Sequence, residues 1–408
     1  MVRNVLSFLT SSTSKQVPYK ERLKNTVIVV IALTALLYFV SFVYNYLTRQ
    51  FTSISYIFTA SGATVLTSGI IFSGIIIMFF TKLLSSNKEK GVNESKFKAI
   101  QIVLALLIAI LAGILSSSLI TLVMFLVGSI LTIYLVNFAT NYGASSGLNL
   151  LVLSYMLLLI IMYLLNIGLP SASAIMAAGG AADLSNATFA FLPIIISLIF
   201  IWLGYVLYDK IFGDFAKISN YNGLGGSASI YLFICVLAAT FTAAFVQILI
   251  AVTPTSINST FASFTAQYLG IYKSYFLSGG ILYLMSNNFP LPYPTPHGGV
   301  GYAAYFNFIL TGTSNLTLSG SNSILVPEYI HVITYIIATV LFTLLFAKIW
   351  AWLTRQDEQA KLAGINIYKS AALFSALYAI SIICGVIIGG SFACLIAGGA
   401  LYQIKNKR

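Results

Sequence analysis

The sequence predicts an all-α membrane protein built on ten transmembrane helices, with both termini in the cytosol. Three observations carry this prediction. Of the 408 residues, 59% are hydrophobic and only 7% are charged, whereas about a quarter of a soluble globular chain is charged. Apolar stretches long enough to cross a bilayer recur along the whole chain. The basic residues, which accumulate on the cytosolic side of membrane proteins, then fix the orientation.

The predicted spans are runs of apolar residues, and all but the short last one are long enough for a helix to cross the ~30 Å hydrocarbon core of a bilayer. The segment before the second span, FTSISYIFTASGATV, is too polar to span and too apolar for an ordinary loop. The ten predicted spans are residues 26–47, 64–81, 97–117, 119–139, 147–167, 190–209, 229–252, 329–350, 370–388 and 390–404.

The basic residues orient these spans. With the N-terminus in the cytosol, only Arg49 and Lys273 of the 21 Lys and Arg residues fall on the outer side, which is the positive-inside pattern. Residues 1–25 form a cytosolic amphipathic leader, and residues 405–408 form a short cytosolic tail. The net charge of +12 therefore reflects topology and gives no reason to expect nucleic acid as a direct partner.

A large external segment, residues 253–327, is rich in Ser, Thr, Asn and aromatic residues. In its FPLPYPTPHGG stretch, Pro occupies every second position from Pro290 to Pro296, which predicts an extended, non-helical path. Three Asn-x-Ser/Thr sequons, at Asn186, Asn258 and Asn315, fall on predicted external segments, where glycans are attached when a chain is modified.

The side chains inside the spans are almost entirely apolar. All nine Asp and Glu residues lie in predicted loops or at helix ends, and His331 lies about one turn inside the eighth span. A coupled transporter or pump keeps ionisable groups near the midplane, and the chain has neither a Walker A nor an HExxH sequence. The sequence thus predicts neither an enzyme nor a cofactor or metal site, and it disfavours a small-molecule transporter with inverted repeats.

Four segments resemble one family of membrane proteins. VPYKERLKNTVIVVIAL (17–33) is similar to the leader and first helix of SecY, the large subunit of the general protein-conducting channel. GSILTIYLVNFATNYGASSGLNLL (128–151) is similar to the fourth helix, tight cytosolic turn and start of the fifth helix in archaeal SecY. YIHVITYIIATVLFTLLFAKIWAWL (329–353) resembles the eighth helix, and GGSFACLIAGGALYQ (389–403) resembles the start of the tenth. The order of the segments and the ten-span topology match the family over essentially the whole chain.

The resemblance implies two pseudo-symmetric five-helix halves, residues 26–170 and 171–404, around a narrow waist. The turn between the fourth and fifth helices is tight in that fold, so that the fifth helix can line the pore. Glycines there permit close or left-handed backbone, and Ser145 and Ser146 can cap the next helix. A tight turn without a pore role is the alternative. The predicted turn residues are Tyr142, Gly143, Ser145, Ser146 and Gly147.

In SecY-type channels a ring of apolar residues from the second, fifth, seventh and tenth helices seals the pore, because apolar walls expel water from a constriction. Matching residue by residue also places a plug at residues 51–65, which would close the funnel from outside. The predicted ring is Phe72, Leu148, Val152, Leu237 and Leu395, and the predicted plug residues are Tyr56, Ile57, Phe58, Thr59, Ala60 and Ser61.

The resemblance further implies passage of unfolded polypeptides across the cytoplasmic membrane, and lateral release of apolar segments into the bilayer between helices two/three and seven/eight. The implied partners are signal-sequence-bearing polypeptides, single-span SecE- and Secβ-like subunits and a ribosome. However, the loops 209–228 and 351–369, whose counterparts dock the ribosome, are short here, and the first has no net charge. A SecY-derived, non-conducting scaffold or insertase without ribosome docking is therefore the second hypothesis.

Overall fold

The computed structural model describes residues 17–47, 63, 66–67, 70, 94–115, 119–170, 172–173, 190–213, 284, 289, 302–319, 322–353, 367–387 and 390–406. Several predicted features lie outside the described residues. They are the ring residues Phe72 and Leu237, the plug residues Tyr56, Ile57, Phe58, Thr59, Ala60 and Ser61, and the seventh predicted span, 229–252.

Helices cover most of eight predicted spans. By length and composition, α1, α3 and α7 are long and apolar enough to cross a membrane, and α2, α4, α5 and α8 contain shorter apolar helical stretches. The first helix begins seven residues before its predicted span, within the predicted leader. The described helices are α1 (Tyr19–Leu47), α2 (Glu94–Leu115), α3 (Leu119–Tyr142), α4 (Gly147–Tyr163), α5 (Leu192–Val206), α6 (Tyr302–Thr311), α7 (Glu328–Leu353), α8 (Ile367–Ile383) and α9 (Ser391–Asn406).

Two helices end in ways that the apolar pattern did not predict. The predicted end of the ninth span at residue 388 is wrong, because α8 stops at Ile383. There Gly385 adopts a φ of 76°, its amide donates to the carbonyl of Ile382 at 3.0 Å, and the amide of Val386 donates to the carbonyl of Ser381 at 3.1 Å. This is the Schellman arrangement, which closes a helix with a left-handed glycine. In contrast, α4 continues into a single π turn, Leu164–Gly168.

Helix α3 buries a face made mostly of small and polar residues and exposes large apolar residues on the opposite face. Its buried residues recur every three to four positions, which is one face of a helix, and include Thr121, Gly128, Thr132 and Val136. The opposite face exposes large apolar side chains such as Leu119, which is 76% exposed. Such a distribution is typical of a helix that packs closely against other helices within a lipid bilayer.

The chain divides into two compact units. Unit 1 comprises Met1–Tyr231, Trp352–Ile365 and Ile387–Arg408, and unit 2 comprises Leu232–Ala351 and Asn366–Val386. This division differs from the predicted halves, 26–170 and 171–404, since α5 and α9 both belong to the unit that contains α1 to α4.

The helix directions in unit 1 follow from paired contacts. Antiparallel packing of α1 and α3 brings the Tyr44 ring 5.7 Å from that of Phe125 at one end, and Asn25 into a 3.3 Å bond with the carbonyl of Tyr142 at the other. The hydroxyl of Tyr19 donates to the carbonyl of Ile404 at 2.9 Å. The start of α1 and the end of α9 therefore lie together at one end of the unit.

Unit 2 contains elements that the sequence did not predict. Within the external segment 253–327, α6 is followed by β1 (Thr313–Ser319), which pairs antiparallel with β2 (Asn322–Pro327). The amide of Glu328 donates to the carbonyl of Gly312 at 2.9 Å, so the hairpin leads directly into the first turn of α7. The sequence analysis predicted no strand here, so this hairpin is an addition to a chain that is otherwise mostly helical.

The core of unit 2 joins α6, α7 and α8. Tyr305, Ile309, Tyr335, Ala379 and Ile383 form one buried cluster. The hydroxyl of Tyr305 donates to the carbonyl of Ile383 at 2.7 Å, which satisfies a carbonyl at the end of α8 that has no partner within its own helix.

Candidate functional site

Helix α4 is surrounded on almost all sides. Fourteen of its 17 residues are buried, although a helix on a protein surface normally buries only one stripe. It packs against α1, α3 and α9. Its exposed side chains are Leu157 and Ile161, at 37% and 40%. The helix that carries the predicted ring residues Leu148 and Val152 is therefore the central helix of unit 1.

The turn before α4 is tight. A Cβ added at Gly143 would overlap the carbonyl oxygen of Ala139, and one added at Gly147 would overlap that of Val136. Among the described glycines only Gly385 has a positive φ. Close approach of the backbone, rather than left-handed conformation, is thus the reason for glycine at both positions.

Hydrogen bonds hold this turn to its neighbours. Ser146 is the N-cap of α4, and its hydroxyl accepts from the amide of Asn149 at 3.4 Å. The amide of Ala144 donates to the hydroxyl of Thr26 in α1 at 2.8 Å. Ser145 takes a different role from the predicted cap, because its hydroxyl donates to the side chain of Gln403 in α9 at 2.7 Å. Tyr142, the first predicted turn residue, ends α3 with its ring 5.1 Å from that of Phe138.

Helices α4 and α9 pack antiparallel. At one end Asn149 donates to Gln403 at 3.2 Å, and toward the other the sulfur atoms of Met156 and Cys394 lie 3.6 Å apart. All eight residues from Ala393 to Ala400 are buried. A polar contact therefore closes one end of the α4–α9 interface, and a contact between two polarisable sulfur atoms lies toward the other end.

Helices α5 and α9 run parallel and very close to each other. Glycines lie in both surfaces: a Cβ at Gly204 would overlap the carbonyl oxygen of Leu395, and one at Gly398 would overlap that of Ile201. Small residues at a helix crossing let the two backbones approach closely. In a bilayer such close packing helps to hold helices together, because lipid tails are as apolar as the side chains and the hydrophobic effect does not drive the helices together. Helix α9 is thus held between α4 and α5.

The three described ring residues are all buried within unit 1. Leu148, Val152 and Leu395 are 3%, 1% and 0% exposed. They do not stand at one level, however. The contacts of Met156 with Cys394 and of Asn149 with Gln403 place Leu395 level with residues near 155, so Leu148 lies about two turns, or ~10 Å, away along the axis, and Val152 about one turn.

A polar cluster around Gln403 was not predicted from the sequence. Its amide donates to the hydroxyl of Tyr208 at 2.8 Å, and the ring of Tyr208 stacks on that of Tyr402 at 4.3 Å. The hydroxyl of Tyr402 donates to Asp209 at 2.7 Å. A Gln beside a Tyr in the last turn of an apolar span was the available signal, since polar residues in such spans face other helices.

Comparison with solved structures gives matches over nearly the whole chain. One is a SecY protein whose plug domain stabilises the closed state of the translocation channel and maintains a membrane seal. It is 17% identical, with 97% of this chain and 94% of that chain covered, at a TM-score of 0.51. The chain has the SecY/Sec61 fold. Sec61 in the canine ribosome–channel complex from the endoplasmic reticulum is also 17% identical, with the same coverage and a TM-score of 0.50.

The SecY/Sec61 fold confirms the resemblance that the four segments predicted. No protein-family model and no curated protein matches the chain. In this fold the described chain supplies a buried, apolar junction of α4, α5 and α9, joined at one end by the cluster around Gln403.

Proposed function

We propose that this chain is the large, multi-pass subunit of a protein-conducting channel in the cytoplasmic membrane, and not an enzyme. It would pass unfolded polypeptides across the membrane and release apolar segments sideways into the bilayer. The SecY/Sec61 fold over 97% of the chain supports this assignment, and fold alone does not decide it. The argument therefore has to come from the residues at the centre of unit 1.

The observation that carries the proposal is that three apolar side chains are buried at the centre of unit 1. Leu148, Val152 and Leu395 are 3%, 1% and 0% exposed. Neither α4 nor the buried part of α9 contains a charged residue. Apolar walls hold no particular side chain of a passing polypeptide, and they expel water from a narrow pore when it is empty. A seal of this kind admits varied sequences and still blocks ions.

The predicted ring and plug complete this proposal. Phe72 and Leu237 would join Val152 and Leu395 near the waist, with Leu148 about one turn below Val152 on the proposed cytosolic side. The segment 51–65 would close the pore from outside. The seal would then extend over more than one helical turn, which lengthens the dry stretch that an ion must cross.

The free energy of moving each residue into the bilayer would decide which polypeptide segments are released laterally. Leu and Ile residues favour the bilayer by a few tenths of a kcal/mol each, while a charge at the centre of a span costs about 2.5–3.5 kcal/mol. A channel that opens sideways therefore sorts polypeptide segments by their composition alone. The outward-facing apolar side chains of α3, such as Ile120 at 61% exposed, suit a surface in contact with lipid.

The partners proposed are signal-sequence-bearing polypeptides and small single-span subunits of the SecE and Secβ kind. The similarity to Sec61 in a ribosome–channel complex supports a ribosome as a further partner, and the zero net charge of the loop 209–228 argues against it. Binding of purified ribosomes to the reconstituted chain separates the two expectations.

The test is ion leak through proteoliposomes that contain the purified protein. Val152→Ser adds a hydroxyl to the proposed seal and should raise the conductance of the empty channel. Leu157→Ser is the matched control, because Leu157 lies on the same helix and is 37% exposed. Equal conductance of both variants and the wild type, together with no export of a signal-bearing substrate, would instead favour the non-conducting scaffold or insertase.

A further inference from the structure

One side chain joins three elements at an end of unit 1. The Oε1 atom of Gln403, in the last part of α9, accepts from the hydroxyl of Ser145 at 2.7 Å and from Nδ2 of Asn149 at 3.2 Å. Its Nε2 atom donates to the hydroxyl of Tyr208 at 2.8 Å. Ser145 belongs to the turn before α4, Asn149 to the first turn of α4, and Tyr208 to the segment after α5.

The amides of Gln403 and Asn149 form a matched set of hydrogen bonds. With Nδ2 of Asn149 as the donor, the atom of Gln403 that faces it is the acceptor oxygen. The amide nitrogen then points to the hydroxyl of Tyr208, which accepts. Both ends of the Gln403 amide are thus used, and rotating this amide alone by half a turn would place two donors face to face.

The two partners near α4 are buried. Ser145 and Asn149 are each 1% exposed, and a buried hydroxyl or amide needs hydrogen-bond partners within the protein. Leu148 lies immediately before Asn149 and Val152 lies one turn after Leu148. Any movement of the Asn149 backbone relative to α9 therefore moves both predicted seal residues.

The surroundings of Gln403 restrict its own movement. The rings of Tyr208 and Tyr402 stack at a centroid distance of 4.3 Å, and the hydroxyl of Tyr402 donates to Asp209 at 2.7 Å. On the same end the hydroxyl of Tyr19 donates to the carbonyl of Ile404 at 2.9 Å. The end of α9 is therefore tied to both α1 and the segment after α5.

We propose that Gln403 is a positioning residue of the channel, which sets the height and rotation of α4 against α9 and thereby the closure of the seal. This inference rests on the proposed function. Because dewetting depends steeply on pore width, a small displacement of Leu148 and Val152 is enough to admit water. Gln403 touches neither residue and acts through Ser145 and Asn149.

The test compares three variants in the full-length protein, reconstituted in proteoliposomes. Gln403→Leu keeps the bulk and removes all three hydrogen bonds, and we expect ion leak to rise about fivefold. Gln403→Glu keeps acceptors for Ser145 and Asn149, and the hydroxyl of Tyr208 can donate to its second oxygen, so leak should stay near that of the wild type. Leu401→Ala, on the exposed side of α9, is the control and should leave leak unchanged.

A second readout separates this inference from the proposed function. In a background with the native cysteines replaced by serine, Leu148→Cys reports the accessibility of the seal through its rate of maleimide labelling. We expect Gln403→Leu to speed that labelling severalfold and Gln403→Glu to leave it unchanged. Faster labelling without ion leak would overturn the channel function and leave the positioning role standing, whereas unchanged labelling overturns the positioning role itself.

Combining variants tests whether Gln403 influences the seal through its hydrogen-bond partners on and before α4. If Gln403 acts through Ser145 and Asn149, adding Gln403→Leu to the double variant Ser145→Ala, Asn149→Leu should raise leak no further, since residues that act as a unit are not additive. Multiplying effects would mean that Gln403 influences the seal by another path, and the inference would then be wrong.

Discussion

Gly204 of α5 lies directly against the main chain of Leu395 in α9. A Cβ at Gly204 would overlap the carbonyl oxygen of Leu395 and come within 2.8 Å of its Cα. Since these are main-chain atoms, no side-chain rotation relieves the overlap. Leu395 is thus held at its backbone by α5, which fixes its position in the proposed seal.

Replacing Gly204 by Ala should therefore force α5 and α9 apart. We expect the free energy of unfolding to fall by about 1–3 kcal/mol, the usual cost of an overpacked site, and ion leak to rise because Leu395 moves with its backbone. Thermal unfolding in detergent and proteoliposome conductance measure the two effects.

Gly168→Ala is the matched control for that change. A Cβ at Gly168 would meet the ring of Phe191 at 3.3 Å, a side-chain contact that can adjust. Its unfolding temperature should stay close to that of the wild type. A loss of stability at Gly168 as large as at Gly204 would contradict the backbone argument.

Ser146 should stabilise the start of α4 through its cap. Ser146→Ala removes the acceptor of the Asn149 amide, 3.4 Å away, and loss of an N-cap costs about 0.5–2 kcal/mol. Ser146→Asp restores a cap acceptor and should recover most of the loss. Thermal unfolding decides, with Ser173→Ala at an exposed position as the reference. Equal unfolding temperatures of Ser146→Ala and Ser173→Ala would exclude a capping role for Ser146.

The helices of unit 1 were predictable because local chemistry decides them: long apolar runs must pair their backbone groups within a helix. The tight turn at residues 143–147 was an expectation from the resemblance to SecY, and the glycines and serines there suited close backbone and a helix cap. The sequence suggested that Ser145 can cap α4 as well, but its hydroxyl donates to Gln403, which lies 258 positions further along the chain.

The features that were missed depend on register and on weak local signals. Matching Leu148 and Leu395 to one ring by sequence could not reveal that antiparallel packing separates them by ~10 Å along the helix axis. A shift of one residue in the register between two helices moves a side chain by about 1.5 Å along that axis. In the external segment, the alternating runs around Gly320-Ser321 are a hairpin signal. The richness of the segment in Ser, Thr and Pro obscured it.

The orientation predicted from the basic residues can be tested within unit 1. Ser173, beyond the end of α4, and Lys405, near the end of α9, are both exposed and lie at opposite ends of the antiparallel α4–α9 pair. With the three native cysteines replaced by serine, Ser173→Cys should react with an impermeant maleimide added outside sealed cells. Lys405→Cys should react only after the membrane is opened.

Labelling in the reverse pattern would place the N-terminus outside and overturn the positive-inside assignment. Labelling of both cysteines from outside would contradict the antiparallel arrangement of α4 and α9 across the membrane. Denatured protein, in which both thiols are free to react, serves as the reference for full modification.

In unit 2, Glu328 and His331 form a buried pair at the start of α7. The carboxylate of Glu328 lies 2.6 Å from Nδ1 of His331, and the two side chains are 0% and 1% exposed. The ring of Phe289 stacks on His331 at 4.4 Å. Because the amide of Glu328 also bonds the carbonyl of Gly312, this pair connects the base of the hairpin to α7.

Glu328→Ala should loosen the hairpin, since it takes a buried acceptor away from His331, a change that costs about 1–3 kcal/mol. We expect earlier thermal unfolding and faster proteolytic cleavage between residues 313 and 327. His331→Phe preserves the aromatic stack but removes Nδ1, so it should weaken the hairpin similarly, whereas Tyr329→Ala, at a position 47% exposed, should not. If the protease cleaves His331→Phe no faster than Tyr329→Ala, stacking on Phe289, and not the contact with Glu328, holds this end of α7.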